Sequence, residues 1–227
     1  MIQLYGGKII MYTTILFDLD GTVSDSAEGI INCVEYSLAE VGISVPRSEL
    51  LCFVGPPLVD MFMQKFGFDE QEAAARAAKY RERYHTIGVC ENSAYDGMEQ
   101  LLQRLKAAGL TLAVATSKPT KFARQIIERY GFSTYFDLVL GSEFDGTRHT
   151  KAQVVADVLT ALGIGEDNKD SAVMIGDRSY DVEGAKACGI ACIGVSYGYA
   201  DPGEVENAGA IAVYPTPAAL GDALLGE

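Results

Sequence analysis

Two carboxylates separated by one residue, Asp18 and Asp20, close the apolar run Ile15-Leu16-Phe17 and are followed at once by Gly21. Such a run reads as a buried strand, and on extended backbone residues i and i+2 leave the same face. Gly21 lets the chain turn sharply straight after Asp20. Two like charges this close are costly unless positive charge sits beside them. A divalent cation meets that need, and Mg²⁺ is held by one or two carboxylates together with waters and substrate phosphate. On these residues alone, a solvated acidic turn after a strand is the competing reading.

A second acidic pair stands far along the chain. Asp177 follows the apolar run Ala172 to Ile175 and Gly176, and Asp181 lies one helical turn later on the same side. Four carboxylates brought together would again require a cation. Thr116 ends the apolar stretch Leu110 to Ala115 and precedes Ser117, Lys118 and Pro119. Hydroxyl and backbone N–H groups at a helix start can hold an anion, although capping that helix is the plainer role. Lys151 opens a helix, where its charge opposes the helix dipole, a mild misplacement that hints at another partner. Lys118 and Arg178 are candidate anion contacts beside the site, with surface solvation as the competing reading. Arg81 and Arg83 read as a solvated helix face.

The elements that would position these residues fall into two groups. Residues 26 to 92 read as helices without a strand: one carrying Ile30, Ile31, Val34 and Leu38, a short one after Pro46, Leu58 to Phe66 closed by Gly67, and one opened by Asp69 and running through Tyr84. From Asp96 onward strand and helix alternate, with Asp96 and Glu99 expected to cap the first helix and Pro119 to begin another. Strands are expected at Leu110 to Ala115, Leu138 to Leu140, Ala172 to Ile175, Ile190 to Val195 and Ile211 to Val213. Alternation of this kind predicts an α/β fold, a Rossmann-like doubly wound parallel sheet with an inserted all-helical cap domain. The expected division is 12–24 and 94–227 as the α/β core, 25–93 as the cap and 1–11 as an N-terminal extension. Every candidate residue sits at or just past the carboxyl end of a strand, where open α/β sheets bind ligands.

Composition narrows the classes. A net charge of −13 argues against nucleic acid, whose binding depends on a basic surface. It also requires that any phosphate site be built from a metal and a few placed lysines or arginines. No stretch approaches about 18 consecutive apolar residues, so no membrane span is expected. The first 11 residues do not read as a secretory signal. Cys33, Cys52, Cys90, Cys188 and Cys192 form no Cys-x-x-Cys pair and read as free thiols, consistent with a cytoplasmic protein.

Asp18-Leu19-Asp20-Gly21-Thr22-Val23 resembles the first motif of the haloacid dehalogenase-like superfamily of aspartate-nucleophile phosphatases. Thr116 matches the second motif, Lys151 the third, with Lys-Ala in place of the frequent Lys-Pro, and Gly176-Asp177-Arg178-Ser179-Tyr180-Asp181 the acidic fourth. The resemblance runs from about Thr13 to the end. It implies that Asp18 attacks phosphorus and that Asp20 is the general acid and base. It further implies that Thr116 and Lys151 complete the catalytic set. Asp18 and Asp177 would bind Mg²⁺ through their side chains, Asp20 through its carbonyl, and Asp181 through water or by orienting the shell. Gly21, Thr22, Thr116, Ser117, Lys118, Lys151 and Arg178 would surround the phosphate.

The implied activity is that of a Mg²⁺-dependent phosphomonoesterase acting on a small phosphorylated metabolite, similar to the phosphoglycolate phosphatases. Phe53-Val54-Gly55-Pro56-Pro57-Leu58 and Thr116-Ser117-Lys118-Pro119 resemble relatives labelled 5′-nucleotidases, the alternative reading. A β-phosphoglucomutase-like isomerase would carry a histidine on the first cap helix, where Glu28 to Asn32 has none. A silent binding protein would lack the nucleophile or a metal ligand, and none is missing. The chain is expected to be a monomer or homodimer.

Overall fold

A computed structural model describes residues 12–144 and 147–227, together with the backbone of 3–5 and 8–10. Strands β1 (Gln3–Tyr5) and β2 (Lys8–Ile10) pair antiparallel as a sheet of their own. The rest of the expected 1–11 extension lies outside the described residues.

From there the order is β3 (Thr14–Phe17), β4 (Ser24–Asp25), α1 (Ala27–Ala39), α2 (Leu58–Phe66), α3 (Glu70–Tyr84), β5 (Ser93–Ala94) and α4 (Met98–Ala107). It continues with β6 (Thr111–Pro119), α5 (Thr120–Arg129), β7 (Leu138–Ser142), α6 (Lys151–Ala161), β8 (Ala172–Gly176) and α7 (Ser179–Ala187). The last elements are β9 (Ala191–Val195), α8 (Glu204–Ala208), β10 (Val213–Tyr214) and α9 (Pro217–Leu225). Six strands form one sheet in the order β10-β9-β8-β3-β6-β7, every neighbouring pair parallel. The expected α/β class is therefore present, with the helical insertion between β4 and β5.

Alternation along the strands explains why helices cover both faces. On β3, Ile15 and Phe17 join one core with Leu112, Val114, Val173 and Ile175, while Leu16 faces a second core with Ala113, Ala115 and Met174. The second core is closed by Val154, Val155 and Val158 of α6 and Val182 and Ala185 of α7. The first is closed by Leu101, Leu102 and Leu105 of α4 and Ile126 of α5, and continues without a break into Ile30, Val34, Phe53 and Phe62 of the insertion. Each buried aliphatic or aromatic side chain of this kind contributes about 1.5–3 kcal/mol.

Register delivers the chemistry to one edge. Phe17 pairs with Val114 on β6 and with Ile175 on β8, so Asp18, Thr116 and Asp177 emerge together at the carboxyl ends of three adjacent strands. The strand order reverses at β3, between β8 and β6, and that switch point is where open α/β sheets leave a crevice. The two passages between core and insertion are themselves paired, Ser24 with Ala94 and Asp25 with Ser93.

Several local expectations shift. The cap of α4 falls on Gly97 rather than Asp96, with φ of 81°, because glycine takes the left-handed turn before the helix without strain. β6 runs on through Thr116 to Pro119, with a bulge between them, so Pro119 is the cap residue of α5 and Thr120 its first helical residue. The last strand is Val213–Tyr214 rather than Ile211 to Val213. All five cysteines are free. No helix among the described residues is long and apolar enough to cross a membrane.

Candidate active site

The Asp18 carboxylate is buried at the end of β3 and meets the ammonium of Lys151, whose Nζ lies 2.8 Å from Asp18 Oδ1. Lys151 is the first residue of α6, a helix started by Thr150, whose hydroxyl accepts from the Gln153 N–H in a reciprocal capping box. The lysine is buried, and Nζ also lies 2.8 Å from Asp181 Oδ1 and donates to the Ala115 carbonyl at 3.2 Å. Its stem passes Gly184 of α7, where any Cβ would overlap it. Burial alone would lower the Lys151 pKa, but Asp18 and Asp181 more than offset it and hold the ammonium charged.

Asp18, Asp177 and Asp181 are buried and offer carboxylate oxygens within 4.8 Å of one another. Among the described residues Lys151 is the one ammonium paired with two of them, so three buried carboxylates carry more negative charge than it can balance. Burial, then Asp181 and Asp18, push the Asp177 carboxyl well above the ordinary range, and burial likewise raises Asp181. Backbone space is cleared for this cluster: a Cβ on Gly21 or Gly198 would overlap Asp177, and one on Gly176 would overlap Asp181. Orienting bonds come from the Thr22 hydroxyl at 3.2 Å and the Tyr199 N–H at 2.8 Å to Asp177, and from the Arg178 N–H at 3.1 Å to Asp181. An all-oxygen, electron-rich donor set with fixed outer partners fits a hard divalent cation.

Asp20 sits apart from that triad. Its buried carboxylate faces Lys118, with Nζ 2.8 Å from Oδ2, and Lys118 also lies 4.8 Å over the Tyr84 ring. Burial opposes the Lys118 charge, but Asp20 and Tyr84 raise its pKa on balance. The backbone N–H of Lys118 donates to the Thr116 hydroxyl at 3.2 Å, so Thr116 braces the turn that presents the lysine. Ser117 and Lys118 line, with Asp20, a cleft of about 300 Å³ between core and insertion. Its other walls include Phe53, Pro56, Pro57, Tyr80, Tyr84 and Phe122. Among the described residues this is the concave, apolar site with convergent charges expected of a small-molecule pocket.

Arg178, expected beside the phosphate, points elsewhere. Its Nε pairs with Glu204 at 2.9 Å and its Nη1 donates to the Val54 carbonyl at 3.0 Å, joining core to insertion. Arg83 is not on a solvated face: it forks onto Glu91 at 2.6 and 2.9 Å and reaches Cys33 at 3.3 Å. Arg81, also read as solvated, lines the cleft. Sequence reasoning missed Tyr84 and Tyr199. The Tyr199 hydroxyl accepts from the Ser26 and Ala27 N–H groups at 2.7 and 3.0 Å and donates to Asp25 at 2.6 Å. One residue thus ties a carboxylate of the acidic triad to the start of the insertion. No spacing marks it, since it stands in a loop beyond β9; only Gly198 beside it signals a close backbone approach.

Comparison with known proteins bears on the same arrangement. The family model of the haloacid dehalogenase-like hydrolases matches residues 15–195. A 5′-nucleotidase of Pseudomonas aeruginosa is 44% identical over 87% of this chain and 88% of its own length. A phosphoglycolate phosphatase of Rhodospirillum rubrum is 32% identical over 93% of this chain and 90% of its own. The crystal structure of a predicted phosphatase from Clostridium acetobutylicum superposes with a TM-score of 0.90 at 44% identity, covering 96% of this chain and 100% of that one. With the Asp18-bearing strand, buried lysine and acidic triad all within the matched span, the chain belongs to the haloacid dehalogenase-like hydrolases, as a phosphatase acting on a phosphorylated substrate.

Proposed function

We propose that this phosphatase is a Mg²⁺-dependent phosphomonoesterase that hydrolyses 5′-nucleotides through an aspartyl phosphate on Asp18. The observation that carries the reading is the pairing of two sites: a lysine-held Asp18 beside the triad, and an aromatic cleft opening past Asp20. The phosphoglycolate-type substrate favoured by the motifs alone gives way to its alternative. The 5′-nucleotidase relative is the more similar of the two, at 44% against 32%, and a cleft walled by Phe53, Tyr80, Tyr84 and Phe122 suits a leaving group larger and flatter than a two-carbon acid.

Asp18 attacks phosphorus in line, and the bond from phosphorus to the ester oxygen breaks. Lys151 pairs with Asp18 and aims it, and its charge offsets that of the incoming phosphoryl group. Asp20, which projects beside Lys118 into the cleft, takes up a proton from the incoming phosphate monoester or from solvent as the substrate binds, and gives that proton to the leaving alkoxide. It then takes a proton from the water that hydrolyses the acyl phosphate. Asp18, Asp177, Asp181 and the Asp20 carbonyl would hold Mg²⁺, which when bound supplies charge neutralisation for the phosphoryl oxygens. Ser117, which lines the cleft, would present a polar group to the phosphoryl group, with the buried Thr116 bracing the Lys118 backbone behind it. Residues 25–93 act as a cap that opens and closes about the paired strands β4 and β5, excluding water during transfer.

Phosphate release from a panel of 5′-nucleotides, phosphoglycolate, phosphotyrosine and sugar phosphates, with and without Mg²⁺, tests the reading. It expects the highest kcat/KM on a 5′-nucleotide and loss of turnover without Mg²⁺. A preference for phosphoglycolate, or Mg²⁺-independent release, would overturn it.

A further inference from the structure

Along one wall of the cleft, contacts run without a break from Asp20 to the surface. Lys118 pairs with Asp20 at 2.8 Å and lies 4.8 Å over the Tyr84 ring. Tyr84 meets Phe122 edge-on, with centroids 5.2 Å apart and planes at 75°, and Phe122 meets Phe144 at 5.7 Å and 87°. Exposure is 3% at Tyr84 and at Phe122 but 54% at Phe144, so the series leads from the buried carboxylate to the rim. All five residues line the same cleft.

Two groups in this wall are only partly engaged inside the protein. The buried Tyr84 hydroxyl interacts with the neighbouring Lys118 ammonium, but no hydrogen bond of ordinary geometry satisfies it among the described residues. A buried hydroxyl left without a partner is costly, which is tolerated where a ligand completes it. Phe144 presents a large apolar ring at the mouth, with the His85 ring 6.1 Å away. An apolar ring left exposed at the rim of an apolar cleft marks a contact surface.

We infer that this wall is the leaving-group subsite and that it reads a nucleoside in two parts, the Tyr84 hydroxyl bonding a sugar oxygen and Phe144, backed by Phe122, stacking on the base. The inference rests on the 5′-nucleotide reading above. In such a substrate one methylene separates the phosphate from the sugar, and the base lies farthest from phosphorus. The wall presents the matching order, a phenol beside Lys118 and Asp20 and an apolar ring at the rim. A two-carbon acid would end well short of Phe144. Stacking on an aromatic ring accepts every base, since each has a flat face, so selection falls on the presence of a base more than on its identity.

The test is steady-state kinetics of the full chain with Mg²⁺ on adenosine 5′-phosphate, ribose 5-phosphate and p-nitrophenyl phosphate, comparing wild type, Phe144→Ala and Tyr84→Phe. Phe144 is mostly exposed and Tyr84→Phe removes a single oxygen, so both variants keep the fold. Phe144→Ala is expected to lower the kcat/KM ratio of the nucleotide over ribose 5-phosphate by about tenfold, chiefly through KM. Tyr84→Phe is expected to lower the ratio of ribose 5-phosphate over p-nitrophenyl phosphate by about tenfold. Unchanged ratios in a wild type that hydrolyses the nucleotide would overturn the subsite and leave the nucleotidase reading standing. A wild type that releases phosphate from other esters but from no 5′-nucleotide would overturn both.

Discussion

The Lys118 ammonium lies 2.8 Å from the Asp20 carboxylate, and both side chains are buried. The residue expected to move protons is therefore held by its own counter-ion from the bulged end of β6, while Lys151 serves Asp18 and Asp181. Each of the first pair of carboxylates has a separate lysine.

Removing one partner of a buried pair leaves an uncompensated charge. Lys118→Met should lower stability by about 3 kcal/mol, read from urea denaturation. Asp20→Leu combined with Lys118→Met should recover most of that loss while remaining inactive. A single variant as stable as wild type would mean that Asp20 is neutral or solvated in the folded protein.

A general acid matters in proportion to how poorly the leaving group departs. Asp20→Asn should cut kcat on alkyl phosphates such as 5′-nucleotides by about 10²–10⁴. On p-nitrophenyl phosphate, whose phenolate leaves without a proton, acyl phosphate formation measured as a burst should fall far less. Equal losses of burst rate on both substrates would remove Asp20 from that role.

Metal removal and pH are linked through the triad. The folded-state pKa values of Asp177 and Asp181 are raised, by burial first and neighbouring carboxylates second. A carboxyl raised on folding makes the folded state bind more protons than the unfolded one above the unfolded value near about 4. Stability of the metal-free protein should therefore fall as pH rises from that value through the raised ones. Mg²⁺ stabilises the ionised triad and should reverse the trend, so the rise in Tm on adding Mg²⁺ should be larger at pH 7.5 than at pH 5. Thermal melts with chelator and with Mg²⁺ read this directly; an equal rise at both values would contradict it.

Gly198 offers a way to disturb the triad without touching a ligand. A Cβ there would overlap the Asp177 carboxylate and the Gly21 carbonyl. Gly198→Ala should weaken Mg²⁺ binding by about 10- to 100-fold in calorimetry, as loss of an orienting outer contact does. Unchanged affinity would mean that Asp177 is not a ligand.

Much of this was legible in the sequence because strand ends are written in local pattern. Apolar runs stopping at Asp18, Thr116 and Asp177 placed those residues at one sheet edge, and β3 with its two neighbours carries them in register. The helix from Leu58 to Phe66, closed by Gly67, also stands where periodicity put it. What local pattern does not encode is which distant group a long side chain reaches. Lys118 and Arg178 carry the same charge and both stand near the carboxyl ends of strands, yet one turns onto Asp20 and the other onto Glu204 and Val54. Arg83 looked solvated because its partner Glu91 lies beyond the end of α3, where helical spacing says nothing. Tyr84 stood in the sequence only as the end of α3, and packing is what makes it a wall of the cleft with a buried hydroxyl.

The central claim is that Asp18 carries the phosphoryl group, and trapping that adduct tests it most directly. The full chain would be mixed with Mg²⁺ and a 5′-nucleotide, quenched in the steady state, reduced with borohydride and mapped by mass spectrometry. Reduction of an acyl phosphate converts aspartate to homoserine. The account predicts homoserine at position 18, dependent on substrate and Mg²⁺ and absent in Asp18→Asn. Phosphate release with Asp18 unmodified, or homoserine at position 20 instead, would contradict it.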